Sequence, residues 1–146
     1  MIKIIAIGKK HDSDLANAIS SYEKRLKQPF NVNWVVLPNS SKTGDNARQD
    51  ESEAILKRIN TDDHVILLDE RGVITTSEKF SNDLQHPNTV IVIGGAFGVN
   101  ENLRRRADIV VALSGMVFPH QLVRLILIEQ IYRSQAIATS HPYHHI

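Results

Sequence analysis

Residues Val90 to Gly98 read VIVIGGAFG: four branched apolar residues, two adjacent glycines, then a third glycine after Ala96 and Phe97. A short apolar run closed by glycines predicts a fully buried strand of a parallel sheet. Without a Cβ, Gly94, Gly95 and Gly98 let the chain turn sharply and let a ligand come close to the backbone. Asn100 follows as an N-cap, with Glu101 in the first turn of a short helix. Strand, glycine turn and helix N-terminus together describe a ligand site at the carboxyl end of an α/β sheet. The plainer alternative is a structural turn that binds nothing.

Strands and helices alternate on either side of this stretch. Ile2 to Ile7 predicts a first strand ended by Gly8, and Ser13 caps a helix with Leu15, Ala18, Ile19, Tyr22 and Leu26 at helical spacing, stopped at Gln28-Pro29. Val32 to Leu37 predicts a second strand. A polar loop follows, with Lys42 and Arg48 expected as solvated charges, and merges into a helix carrying Ala47, Ala54, Ile55 and Ile59. The third strand, His64 to Leu68, ends in Asp69-Glu70-Arg71-Gly72, where Arg71 is the expected partner of the acidic pair. Ser77 opens a helix with Phe80 and Leu84; after the glycine strand come Arg104-Arg105-Arg106 and a fifth strand, Ile109 to Leu113. This order predicts a single α/β domain over residues 1–146, a mostly parallel sheet with helices on both faces. Ligands then belong at three loops: after Leu68, at Gly94 to Gly98, and at Ser114 to Pro119.

Composition narrows the chemistry. The absence of cysteine excludes disulfides, thiolate nucleophiles and cysteine-ligated metals. Met1 leads straight into strand-like sequence, and no run approaches a membrane span, so a soluble cytoplasmic protein is expected. A net charge of +1 argues against bulk electrostatic binding of polyanions. Its distribution is uneven: through Leu103 there are 12 Lys and Arg against 14 Asp and Glu, and from Arg104 onward 5 against 2. A phosphate-bearing partner is therefore expected to meet the C-terminal part.

Pro119 suits the start of a helix that reads HQLVRLILIEQIYRSQAIA. Its Leu122, Val123, Leu125, Ile126, Leu127, Ile128 and Ile131 spread around nearly the whole circumference. A helix apolar on every side must be covered on every side, which predicts a homodimer. Arg124 interrupts the apolar stretch as a buried carboxylate partner or a charge kept for a ligand. The terminal HPYHHI lacks the carboxylate or cysteine that would complete a metal's ligand set, and no metal is expected at Asp69-Glu70 either. Tyrosine and histidine can instead stack on bases and hydrogen-bond their edges, as single-stranded RNA recognition requires.

Taken together, VIVIGGAFG, ALSGMVFPHQLVR, LIEQIYR and the terminal HPYH resemble the RlmH family, the ribosomal large-subunit pseudouridine N3-methyltransferases of the SPOUT class. The opening KIIAIGK, the segment YEKRL and the strand end LLDERG are similar too, so the resemblance covers nearly the full chain. It implies a SPOUT-type fold with a C-terminal trefoil knot, a homodimer, S-adenosyl-L-methionine as methyl donor and 23S rRNA in the assembled ribosome as substrate. It implies cofactor contacts at Leu68, Gly94, Leu113, Ser114, Gly115, Met116, Val117 and Phe118, with Gly94 and Gly115 as places where a side chain would meet the ligand. Two positions depart from the family pattern: Phe97, where relatives tend to carry a polar residue, and His145-Ile146, where a permanent charge is common. The terminal contact with phosphate is accordingly expected to be weaker and pH-dependent.

The methyl of a sulfonium is already activated, so alignment supplies much of the acceleration. The attacking ring nitrogen must lose a proton, and His144, Tyr143 and His120 are the candidate bases, with solvent or a phosphate oxygen as alternatives. Arg104, Arg105, Arg106 and Arg124 are expected to hold the RNA backbone while Tyr143 and His144 position the base; for the three-arginine run, the alternative is a solvated helix face. Two other functions compete. A nucleotide-binding oxidoreductase is disfavoured because Gly94-Gly95-x-x-Gly98 lacks the G-x-G-x-x-G spacing and comes late in the chain. The other is a ribosome-binding protein without activity.

Overall fold

The computed structural model describes residues 1–145. Along it run β1 (Ile2–Ile7), α1 (Ser13–Glu23), β2 (Val32–Leu37), α2 (Gly44–Leu56), β3 (His64–Ile74), α3 (Ser77–Asp83), β4 (Thr89–Ile93), α4 (Glu101–Arg106), β5 (Ile109–Ala112) and α5 (His120–Ala138). The strands form one sheet in the order β2-β1-β4-β3-β5, and every pairing is parallel. Successive side chains of a strand point to opposite faces, and this sorts the core into two layers. Ile2, Ile4 and Ala6 meet Ile19 of α1, Phe80 of α3, and Leu127, Ile128 and Ile131 of α5. Ile5 and Ile7 meet Ile55 of α2 and Leu103 of α4 on the other side. Burying each of these large side chains contributes roughly 2 kcal/mol. The expected α/β sandwich, with helices on both faces, is the fold observed.

Three local expectations change. Helix α1 starts after Asp12 and ends at Glu23, so Leu26 packs on the core from beyond the helix, as Ile59 does beyond α2. Strand β3 does not stop at Leu68. Both Leu68 and Val73 pair with Val111, so Asp69 to Gly72 bulge out as an excursion within a single strand. Such bulges re-aim side chains beside sites.

The third change concerns α5. Helices α1 and α3 flank it on the sheet, so one chain covers more of its circumference than its sequence suggested. Apart from Met1, the large apolar side chains most exposed are instead Val73 and Ile74 at the end of β3 and Met116 and Val117 before α5, the last two 73% and 74% exposed. Because all five strands are parallel, these residues and the glycine turn gather at one edge of the sheet.

Candidate functional site

That edge holds a cleft of about 890 Å³. The excursion of β3, the glycine turn after β4 and the loop before α5 converge on it, so all three loops singled out in the sequence meet in space. Leu68, Gly94, Leu113, Ser114, Met116, Val117 and Phe118 line it, as do His120 and Arg104. Gly115 lies between lining residues without being one. A Cβ there would make only ordinary contact, 3.7 Å from Ile74 Cδ1, so the protein itself leaves room at this position.

The glycine turn is closed by the Gly98 N–H donating to the Gly95 carbonyl at 3.0 Å, and Gly98 has φ of +78°, which favours glycine. Gly95 is crowded from behind: a Cβ would come within 2.5 Å of Glu51 Oε1 and 3.1 Å of Ile7 Cγ2. Asn100 caps α4 as expected, its Oδ1 accepting from the Leu103 N–H at 2.9 Å.

Sequence reading missed the part played by α2. Arg48, expected to be solvated, donates from Nε to the Phe97 carbonyl at 2.8 Å and pairs with Asp45. Gln49 Oε1 accepts from the Asn100 side-chain amide at 2.9 Å, and Ser52 Oγ accepts from the Asn100 N–H at 2.8 Å. Asp45, Arg48, Gln49 and Ser52 recur at one face of the helical period, and that polar stripe was the signal available. It buttresses the turn, and its Asp45, Arg48 and Gln49 line the cleft themselves.

Asp69 accepts from Arg104 Nη2 and from the Arg71 N–H at 2.8 Å, while the Arg71 guanidinium lies farther off at 3.7 Å. Arg104, not Arg71, is thus the principal partner. Burial pushes the Asp69 carboxyl up, but the Arg71 amide, Arg104 and both positive charges together outweigh it and hold the group below the ordinary aspartate range. A depressed folded-state value contributes stability above the unfolded value and loses it as pH falls through the folded one. Asp69→Asn should therefore flatten the acid limb of the stability curve, below the ordinary aspartate value, and leave its slope near neutrality unchanged. Urea midpoints measured across that range check this; an unchanged acid limb would refute it.

The four arginines expected on RNA divide. Arg104 lines the cleft, and Arg105 is exposed, 3.5 Å from Glu101. Arg106 braces the fold, donating from Nη2 to the carbonyls of Asn60 at 2.8 Å and Asp63 at 3.0 Å. Neither Arg106 nor Arg124 presents a free guanidinium to an RNA backbone, the first because two backbone carbonyls hold it and the second because it is buried, with Nη1 on the Lys9 carbonyl. Nor does Arg124 pair with a carboxylate among the described residues, one of the two roles its sequence context suggested.

The tail lies elsewhere. Tyr143 packs edge-on against Tyr132, with ring centroids 4.7 Å apart. Burial, a hydrogen bond with Tyr22 and the Glu129 charge push its hydroxyl up to about 12, so it is a neutral phenol near pH 7. His144 is held between Arg133, 3.1 Å from Nδ1, and Glu78, 2.8 Å from Nε2. Arginine only donates and the carboxylate accepts, so Nδ1 accepts and Nε2 carries the proton. Both ring nitrogens are occupied, and neither tail residue is free to take a proton while docked here. His120, exposed on the cleft, has no such restraint. Ile146 lies outside the described residues. Among those residues no group of three or more His, Asp or Glu could hold a metal, and no helix is long and apolar enough to cross a membrane.

Comparison with known proteins gives a consistent picture. The family model described as "Predicted SPOUT methyltransferase" matches residues 1–144. The chain is similar to proteins named ribosomal RNA large subunit methyltransferase H. The protein from Francisella tularensis subsp. novicida is 35% identical over 152 aligned positions, covering 98% of each chain. The one from Bdellovibrio bacteriovorus is 42% identical over 134, covering 86% of each. A third, from Christiangramia forsetii, is 38% identical over 154 and covers 99% of this chain and 98% of its own.

Proposed function

Because the chain belongs to the SPOUT methyltransferase family, we propose that it transfers the methyl group of S-adenosyl-L-methionine to N3 of a pseudouridine in 23S rRNA of the assembled ribosome, in the cytoplasm. One observation carries this reading: three loops far apart in sequence converge on a single cleft large enough for a nucleoside-sized ligand. Leu68, Gly94 and the segment Leu113 to Phe118 would hold the cofactor, with backbone groups on the adenine edge and apolar walls on its faces. The sulfonium supplies an activated methyl group. The protein aligns the nucleophile behind it and excludes water.

A homodimer and the C-terminal trefoil knot belong to the same proposal. His120 sits at the cleft and Arg133, which anchors the tail, lies roughly 20 Å along α5 at the usual helical rise. Within one chain, that separation keeps the anchored Tyr143 and His144 away from the cleft. A second copy packed by its exposed Val73, Ile74, Met116 and Val117 is the simplest way to bring a tail to a cleft. Of the candidate bases, His120 is favoured by its place on the cleft, with Tyr143 and His144 positioning the base and Arg104 and Arg105 meeting phosphate.

Labelled methyl transfer from S-adenosyl-L-methionine to ribosomes, run beside free rRNA and separate subunits, tests the proposal. Transfer to ribosomes is expected. No transfer to any of the three, together with no calorimetric heat on adding the donor, would leave the inactive ribosome-binding reading standing. Binding of NADH in place of the donor would favour the oxidoreductase, which no feature of the cleft supports.

A further inference from the structure

Arg124 is the largest side chain in the core, 1% exposed, yet no carboxylate lies within ion-pair distance of it among the described residues. A buried guanidinium without a counter-ion is costly, so what it holds is informative. Its Nη1 donates to the Lys9 carbonyl at 2.7 Å and reaches His11 Nδ1 at 3.3 Å; its Nη2 lies where a Cβ on Gly8 would sit 3.5 Å away. One turn earlier on α5, Gln121 donates from Nε2 to the Lys10 carbonyl at 3.4 Å and accepts from the Asp12 N–H at 3.0 Å. Two side chains of α5 thus grip the backbone of Gly8 to Asp12 and leave the Lys9 and Lys10 side chains exposed.

This loop adjoins the cleft. Strand β1 pairs with β4 through Ala6 and Ile93, so the two chains leave the sheet side by side, one into Gly8 to Asp12 and the other into the glycine turn. His120 and Val123, on the same turn of α5 as Gln121 and Arg124, line the cleft itself. The charge balance at the loop is positive. Lys9, Lys10 and Arg124 face Asp12 as the acidic group that acts on Arg124, and His11, depressed by burial and by Arg124, stays neutral near pH 7. Neither lysine lines the cleft, so the ligand they fit is one that extends beyond the cofactor.

We propose that Lys9 and Lys10, held in place by Arg124 and Gln121, form a platform that binds phosphodiesters of the RNA substrate at the rim of the methyl-transfer cleft. This rests on the rRNA methyltransferase reading above. Arg124 acts as a positioning residue: it touches the loop, not the RNA. The function expected of it in the sequence passes to the two lysines it supports.

The test compares wild type, Lys9→Gln/Lys10→Gln and Gln121→Ala, measuring methyl transfer to ribosomes between about 50 and 200 mM salt alongside calorimetric affinity for S-adenosyl-L-methionine. Two lost phosphate contacts should raise the KM for ribosomes about tenfold at the upper salt and lower the slope of log KM against log salt by about 1.5. Cofactor affinity should stay within about twofold, since an RNA contact outside the cleft does not touch the donor. Gln121→Ala, which loosens the loop without emptying the core, should give a smaller change of the same sign. An unchanged salt slope, or a loss confined to cofactor affinity or to self-association, overturns the platform while wild-type transfer keeps the parent reading intact. Absence of transfer by wild type would overturn both.

Discussion

Gly72→Ala should cost about 2 to 4 kcal/mol of stability, seen as a marked fall in the urea midpoint, because the new methyl has nowhere to go. Its Cβ would lie 2.8 Å from the carbonyl carbon and oxygen of Val110 and from the carbonyl carbon of Val111. Those atoms are backbone of β5 and cannot rotate away as a side chain would. Relief requires separating β3 from β5 where the excursion of Asp69 to Gly72 rejoins the sheet, and that excursion carries Asp69 to Arg104 and forms one wall of the cleft. Donor binding should fall with stability. Gly115→Ala is the control: its nearest neighbour at 3.7 Å makes the same methyl harmless, and its midpoint should match wild type. A Gly72→Ala midpoint equal to that control would show that β5 can yield.

Two inactive variants should restore activity when mixed. Ser114→Trp fills the cleft, and Tyr143→Ala/His144→Ala removes the two tail groups proposed to position the base; alone, each should lose methyl transfer to ribosomes by a large factor. If the tail of one subunit serves the cleft of its partner, the mixed dimer has one site with an intact cleft and an intact tail. Random exchange of subunits puts about half the dimers in that state, each with one working site, so about a quarter of wild-type activity should return. Donor titration confirms the premise, since the tail variant should bind S-adenosyl-L-methionine and the Ser114 variant should not. If tail and cleft of the same chain worked together, each site of the mixed dimer would still lack one or the other and no activity would return; preserved activity in the tail variant alone would remove the tail from the chemistry altogether.

The separation behind that experiment was not legible in the sequence. HPYH and Gly94 are both visible along the chain, but only the fold sets them at opposite ends of α5 and docks His144 between Arg133 and Glu78. The glycine turn and its strand were legible because their signals are local: an unbroken apolar run buried on both faces, then residues without Cβ atoms. Arg48 was misread for the opposite reason. Its sequence neighbours are polar, and nothing near it in the chain announces the Phe97 carbonyl 49 positions away.

From its residues alone, the chain determined its layers and the three loops that meet at the cleft, because hydrophobic periodicity, glycine and helix capping act over a few residues. It did not determine which charges would be free. Arg104, Arg106 and Arg124 look alike in sequence, yet one enters the cleft with Asp69, one braces two carbonyls, and one is buried against the Lys9 carbonyl 115 positions away. A charged group's role is set by what lies within hydrogen-bond reach after folding, and only the tertiary structure decides that.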